Sequence, residues 1–124
     1  IFAADPMNGF PPGTPVGRPA TVSLAGTLHL VAAGLGFLGL IAATAVLARR
    51  FADEGSPGWA AGSYATGLLF LAGFAGLASG SSSAGVVLGF WVALFVSWSW
   101  LAAVSVRLYR RVGTTRPGPV AAGR

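Results

Sequence analysis

Three stretches of more than twenty residues contain no charged side chain, and nothing else constrains the fold of this chain as strongly. They run from Val22 to Ala48, from Trp59 to Ser79 and from Ala84 to Val106. A helix rises about 1.5 Å per residue, so about 20 apolar residues cross a hydrocarbon core about 30 Å thick. Each run is long enough, and the chain as a whole lacks the polar surface that water demands. Only 9% of its residues are charged and 54% are hydrophobic, against about 25% charged in a typical soluble domain. The expected fold is therefore all-α: a polytopic transmembrane helical bundle with three spanning helices and the lipid bilayer as its solvent.

A net charge of +5 raises the question of nucleic acid, but the placement of the charge answers it. All eight basic residues are arginines, and none lies inside an apolar run. Arg49 and Arg50 close the first run, and Arg107, Arg110 and Arg111 close the third. A nucleic-acid partner would call for arginine and lysine spread along a groove or face. Arginines at helix ends are membrane anchors and topology signals instead.

The connecting segments complete the plan. Residues 1–4, Ile1-Phe2-Ala3-Ala4, run straight into Asp5-Pro6 without a basic leader and resemble the end of a preceding helix. On that reading an N-terminal half of the protein precedes this chain. Residues 5–21 form a Pro/Gly-rich loop, with five prolines between positions 6 and 19. Proline removes backbone donors and fixes φ, so the segment is stiff yet not helical. Exposed Met7 and Phe10 could then lie across the mouth of the bundle. In the second connection, Phe51 to Gly58, Ser56 is placed to cap a helix with Pro57 in its first turn. The transmembrane region extends over 22–111, and the tail 112–124 has no apolar periodicity, which predicts disorder.

The arginines also orient the chain. The Arg49-Arg50 loop and the Arg-rich tail are two helices apart and share one side, which the positive-inside rule makes cytoplasmic. Loop 5–21 then lies outside a cell membrane. Trp59, Tyr64, Trp100 and Tyr109 fall toward the inner interface, and Trp91 toward the outer one.

Lipid tails are as apolar as leucine, so helices in a bilayer associate through small residues that let backbones approach. Gly85, Gly89, Ala93 and Ser97 form a four-residue stripe on the third helix, and Ala72, Gly76 and Gly80 one on the second. Gly34, Gly36 and Gly39 sit near the middle of the first. These are read as packing faces. A three-helix bundle is thin, and the missing half or a homo-oligomer would complete it.

Few polar residues could carry function. His29 is the one histidine, about a turn inside the outer end of the first helix. Ionisable groups in a membrane are costly, so it is a candidate for proton response or ligand contact. The alternative is a neutral histidine bonded to a neighbour. Asp5 lies on the same outer side and is its natural partner, unless Asp5-Pro6 simply ends a helix with the carboxylate in water. Asn8, Arg18 and Thr27 could join them. No catalytic set is visible. One His without Cys cannot make a zinc site, bis-His haem ligation lacks its second ligand, and the chain has neither lysine nor cysteine for covalent chemistry. No metal, cofactor or catalytic residue is assigned.

The stretch Asp5-Pro6-Met7-Asn8-Gly9-Phe10-Pro11-Pro12-Gly13, followed by Leu28-His29 opening an apolar helix that ends in Arg49-Arg50, resembles a bacterial membrane family catalogued as domain of unknown function 998. The resemblance implies a six-helix protein, with this chain covering the end of helix three through helix six and both termini inside. It draws attention to Asp5, Pro6, Gly9, Pro11, Pro12, Gly13 and His29, and implies no activity. The leading expectation is a non-enzymatic membrane protein that binds lipid or a small apolar ligand, or assembles with membrane partners. A proton-coupled transporter using Asp5 and His29 is the alternative. A membrane enzyme or redox protein with its remaining residues in the missing half ranks third.

Overall fold

The computed structural model describes residues 3–7, 11–14, 17, 21–81 and 83–114. Three helices follow one another: α1 (Leu24–Asp53), α2 (Pro57–Ala78) and α3 (Ala84–Thr114). All three are long and apolar enough to cross a membrane, and the described residues include no β-strand. Short connections force the helices antiparallel. The middle helix α2 packs on both neighbours, whereas α1 and α3 bring no described Cα atoms within 8 Å of each other.

The helices outlast their apolar runs. α1 continues through Arg49 and Arg50 to Asp53, so half of the expected 49–58 loop is helical. It stops where Gly55 turns left-handed (φ +66°), with Ser56 N–H donating to the Phe51 carbonyl and Gly55 N–H to that of Ala52. That pair of bonds satisfies carbonyls the helix leaves open, and the positive φ is available to glycine without a Cβ penalty. At the other end Ala3 and Ala4 have no helical backbone, and Ile1 and Phe2, the rest of the expected helix end, lie outside the described residues. Residues 112–114, expected to begin a disordered tail, are the last turn of α3. Arginine stems can lie along apolar surface while the guanidinium stays in the interface, so a charged residue need not end a membrane helix.

Small hydroxyl side chains share the interior with apolar ones, and many large apolar side chains face outward. Thr44, Ser63, Thr66 and Ser97 are buried, while Leu35, Leu68, Leu88, Phe95 and Trp98 face outward. Three of these hydroxyls donate to carbonyls of their own helix: Thr44 to Ile41 at 2.7 Å, Thr66 to Gly62 at 2.8 Å and Ser97 to Ala93 at 2.8 Å. The Ser63 hydroxyl accepts from Trp100 Nε1 at 3.1 Å, a bond between α2 and α3. Small hydroxyl residues allow close helix approach, and large apolar ones meet lipid.

Two aromatic clusters tie the three helices together. Toward the middle, the Phe37 ring of α1 meets Phe70 and Phe74 of α2 and Phe90 of α3, with centroids 5.3–5.5 Å apart. At the arginine end, Trp59 of α2 meets Phe51 of α1 at 5.7 Å and Trp100 of α3 at 5.1 Å. Such pairs contribute about 0.5–1.5 kcal/mol each beyond area burial. The glycines that admit these rings are not the ones in the four-residue stripes. A Cβ at Gly62 would run into the Trp100 ring, at Gly67 into Thr44, and at Gly73 against Ala93 and Phe90.

Of the expected packing positions, Ala93 and Ser97 are buried, and Gly76 would place a Cβ in ordinary contact with Val86. Ala72 is exposed, and a Cβ at Gly34, Gly36, Gly39, Gly85 or Gly89 would meet nothing within 4 Å. Gly80 is not in a helix at all; it follows α2 with φ +79°. Steps of four residues drift about 40° per step around a helix of 3.6 residues per turn, so a strict four-residue stripe leaves a two-helix seam. The buried series Ala60, Ser63, Gly67, Phe70 on α2 alternates steps of three and four and stays on it.

Gly62→Ala should therefore lower the thermal midpoint of the purified protein, by an overpacking penalty of about 1–3 kcal/mol. Gly39→Ala should leave the midpoint unchanged. Equal losses from both would mean that the seam assigned to Gly62 is misplaced.

Candidate functional site

At the end opposite the arginines, the N-terminus of α1, the C-terminus of α2 and the start of the chain converge on a cavity of about 380 Å³. Ala4, Asp5 and Met7 line it from the loop, and Val22, Gly26 and Leu30 from the start of α1. Leu77, Ala78, Gly80 and Ser81 complete the wall from the end of α2 and the turn after it.

What holds the loop to the helix is Asp5. Its carboxylate accepts from the Ser23 backbone N–H at 2.8 Å and from the Ser23 hydroxyl at 2.5 Å. Ser23 is itself the N-cap of α1, its Oγ accepting from Gly26 N–H at 3.0 Å. A carboxylate at a helix N-terminus meets unsatisfied N–H groups and the positive end of the helix dipole. The Ser23 hydroxyl first, and its backbone N–H second, hold the Asp5 carboxyl below its ordinary titration range. Gly26 makes the approach possible, because any Cβ there would overlap the Asp5 carboxylate. The Pro11-Pro12-Gly13-Thr14 stretch closes a turn, with Thr14 N–H donating to the Pro11 carbonyl at 3.1 Å and Gly13 at φ +91°. Proline followed by a positive-φ glycine is the requirement of a type II turn.

The expected site residues are only partly brought together. Asp5 lines the cavity, and the hydrogen bonds described for its carboxylate go to Ser23. His29 is half-buried on α1, next to Leu30, and is not among the cavity-lining residues. Pro6, Pro11, Pro12 and Gly13 are exposed, and Met7 lies on the cavity wall. Asn8, Gly9, Phe10 and Arg18 lie outside the described residues. Ser23 and Gly26 were missed as site residues. Ser23 could have been found from its position just before the first apolar run, where N-caps occur. The described residues contain no cluster of three His, Cys, Asp or Glu able to hold a metal.

The arginine end carries the other polar constellation. Ser56, expected to cap α2 with its side chain, does so with its backbone carbonyl, which accepts from Trp59 and Ala60 N–H at 3.1 Å each. Its hydroxyl instead accepts from Arg107 Nη2 at 2.7 Å. The Arg107 guanidinium lies 4.8 Å from the Phe51 ring centroid and 4.5 Å from that of Trp59. Glu54 pairs with Arg50 at 3.0 Å and with Arg111 across to α3. Arg50 first and Arg111 second hold its carboxyl below the usual range.

Three long apolar helices with large apolar side chains on their outer faces define an integral membrane protein of the polytopic helical class. Within that class the chain belongs to the family described as "Protein of unknown function (DUF998)", which it matches over residues 1–107. No curated protein and no solved structure matches it.

The Asp5 latch sets a pH prediction. A carboxyl whose pKa is depressed by folding contributes stability above its unfolded pKa and loses it as pH falls through the depressed value. Protection of the Ser23 amide against hydrogen exchange should therefore persist at neutral pH and fade only below the ordinary aspartate range. Asp5→Ala should speed that exchange several-fold at neutral pH; unchanged exchange would show that the latch does not hold the loop.

Proposed function

We propose that this protein is a non-enzymatic membrane protein that holds a lipid chain or a small apolar ligand in the cavity under its Pro/Gly-rich loop. One observation carries the reading: the cavity is walled mainly by Ala4, Met7, Val22, Leu30, Leu77 and Ala78, and the one charged group among its described lining residues, Asp5, is already bonded to Ser23. A mostly apolar cavity with few polar groups suits an apolar ligand whose orientation those groups set. The bias of arginine supports a cell-membrane topology with this loop outside and the Arg49–Gly58 connection and C-terminal tail in the cytoplasm. The glycine faces of α1 and α3 left open in this chain are seats for further helices, from the same six-helix protein or from a second copy.

The transporter reading is weaker on the same ground. Its Asp5 would have to exchange protons near neutral pH, whereas Ser23 stabilises the ionised form. His29 stands off the cavity wall.

Native mass spectrometry of the protein gently released from its membrane tests the proposal. The wild type should retain an apolar mass in stoichiometric amount, and Ala78→Trp, which fills the cavity from the end of α2, should lose it. A wild type that emerges bare, or an Ala78→Trp protein that keeps the same mass, would end this reading.

A further inference from the structure

The arginine end has a second cavity, of about 420 Å³, that the outer ligand does not explain. Its wall combines Trp59 of α2 with Ala103, Val106, Arg107, Arg110 and Arg111 of α3. Positions 103, 106, 107, 110 and 111 follow one another by three or four residues, so they share one face of α3. Three arginines thus line one cavity beside one indole. Like charges gathered this closely repel one another unless an anion lies among them.

The acids of this end answer only part of that charge, through Arg111. Glu54 is engaged by Arg50 and Arg111, and neither it nor Asp53 lines the cavity. Arg107 is held in place by the Phe51 and Trp59 rings and the Ser56 hydroxyl. A guanidinium has five N–H donors, and Ser56 takes one of those of Arg107. Arg110 is exposed and makes no ion pair among the described residues. A guanidinium held in place beside a second, exposed one suits the oxygens of a phosphate.

We propose that this cavity binds the phosphate of an anionic phospholipid headgroup. A lipid is favoured over a soluble anion because the cavity opens between the ends of two membrane helices. Its other lining residues, Trp59, Ala103 and Val106, are apolar and suited to the glycerol and first methylenes below a phosphate. Basic pockets between helices at a membrane surface recognise such headgroups. The site is independent of the outer ligand and can fail or hold without it.

The test uses the purified full chain in nanodiscs of equal phosphatidylcholine and phosphatidylglycerol, with native mass spectrometry reading the lipid that stays bound. Phosphatidylglycerol should be retained in preference to phosphatidylcholine. Arg110→Gln, on an exposed side chain outside the helix seam, should reduce that preference about fivefold. Arg49→Gln removes the same charge from an exposed position that does not line the cavity, and should leave the preference intact. Equal retention of both lipids, or equal effects of the two variants, would overturn the site in favour of diffuse surface charge. Displacement of the bound lipid by excess inorganic phosphate would also overturn it, since the ligand would then be a soluble anion.

Discussion

The guanidinium of Arg107 is the contact on which the arginine end of this bundle depends. It extends from α3 to a ring of α1, a ring of α2 and the serine that opens α2. α1 and α3 do not approach each other through their backbones, so side chains must bridge them. Phe37 and Phe90 do so near the middle, and Arg107 with Phe51 does so at the end. A cation over an aromatic face is worth about 0.5–1 kcal/mol in water and about 2 where water is excluded. Two rings and a hydroxyl on one half-buried guanidinium therefore exceed what an exposed ion pair such as Arg50–Glu54 supplies.

The same logic organises the other end with the opposite charge. There a carboxylate, Asp5, rather than a cation, joins segments far apart in sequence, and a helix N-terminus receives it. The polarity matches the helix dipole at both ends: an acid at the start of α1, and arginines in the last turns of α1 and α3. Between the two ends the helices are held by the Phe37 ring cluster, the Trp100–Ser63 bond and the glycine notches that admit their neighbours, with no charge among the buried described residues. The two cavities lie where this packing stops, one beside each charged connection.

Much of the fold was legible in the sequence, and the reason is solvation. A run without charge longer than twenty residues has few places to go, so the three helices followed from charge placement alone. Their ends did not, because Arg49 and Arg50 can leave the hydrocarbon by extending their stems while the helix continues. The seams within this chain do not follow the regular four-residue spacing. Gly85 and Gly89 face open space here, whereas Gly62, Gly67 and Gly73 lie in the seams, against the Trp100 ring, the Thr44 hydroxyl, and Ala93 with the Phe90 backbone. The Asp5–Ser23 latch spans eighteen residues and a loop whose path no local rule predicts. Arg107 was legible as a topology signal; its rings come from two other helices and only the fold reveals them.

The claim that Arg107 closes the arginine end is open to one direct distance measurement. The chain contains no cysteine, so spin labels can be placed on the exposed residues Ala52 of α1 and Ser105 of α3. Double electron–electron resonance should then give a single narrow distance in the otherwise unchanged protein. With Arg107→Gln added, the distribution should broaden and move to longer distances as the two helices lose their bridge. A distribution unchanged by that substitution would show that the helices are held together without the cation, contradicting the account.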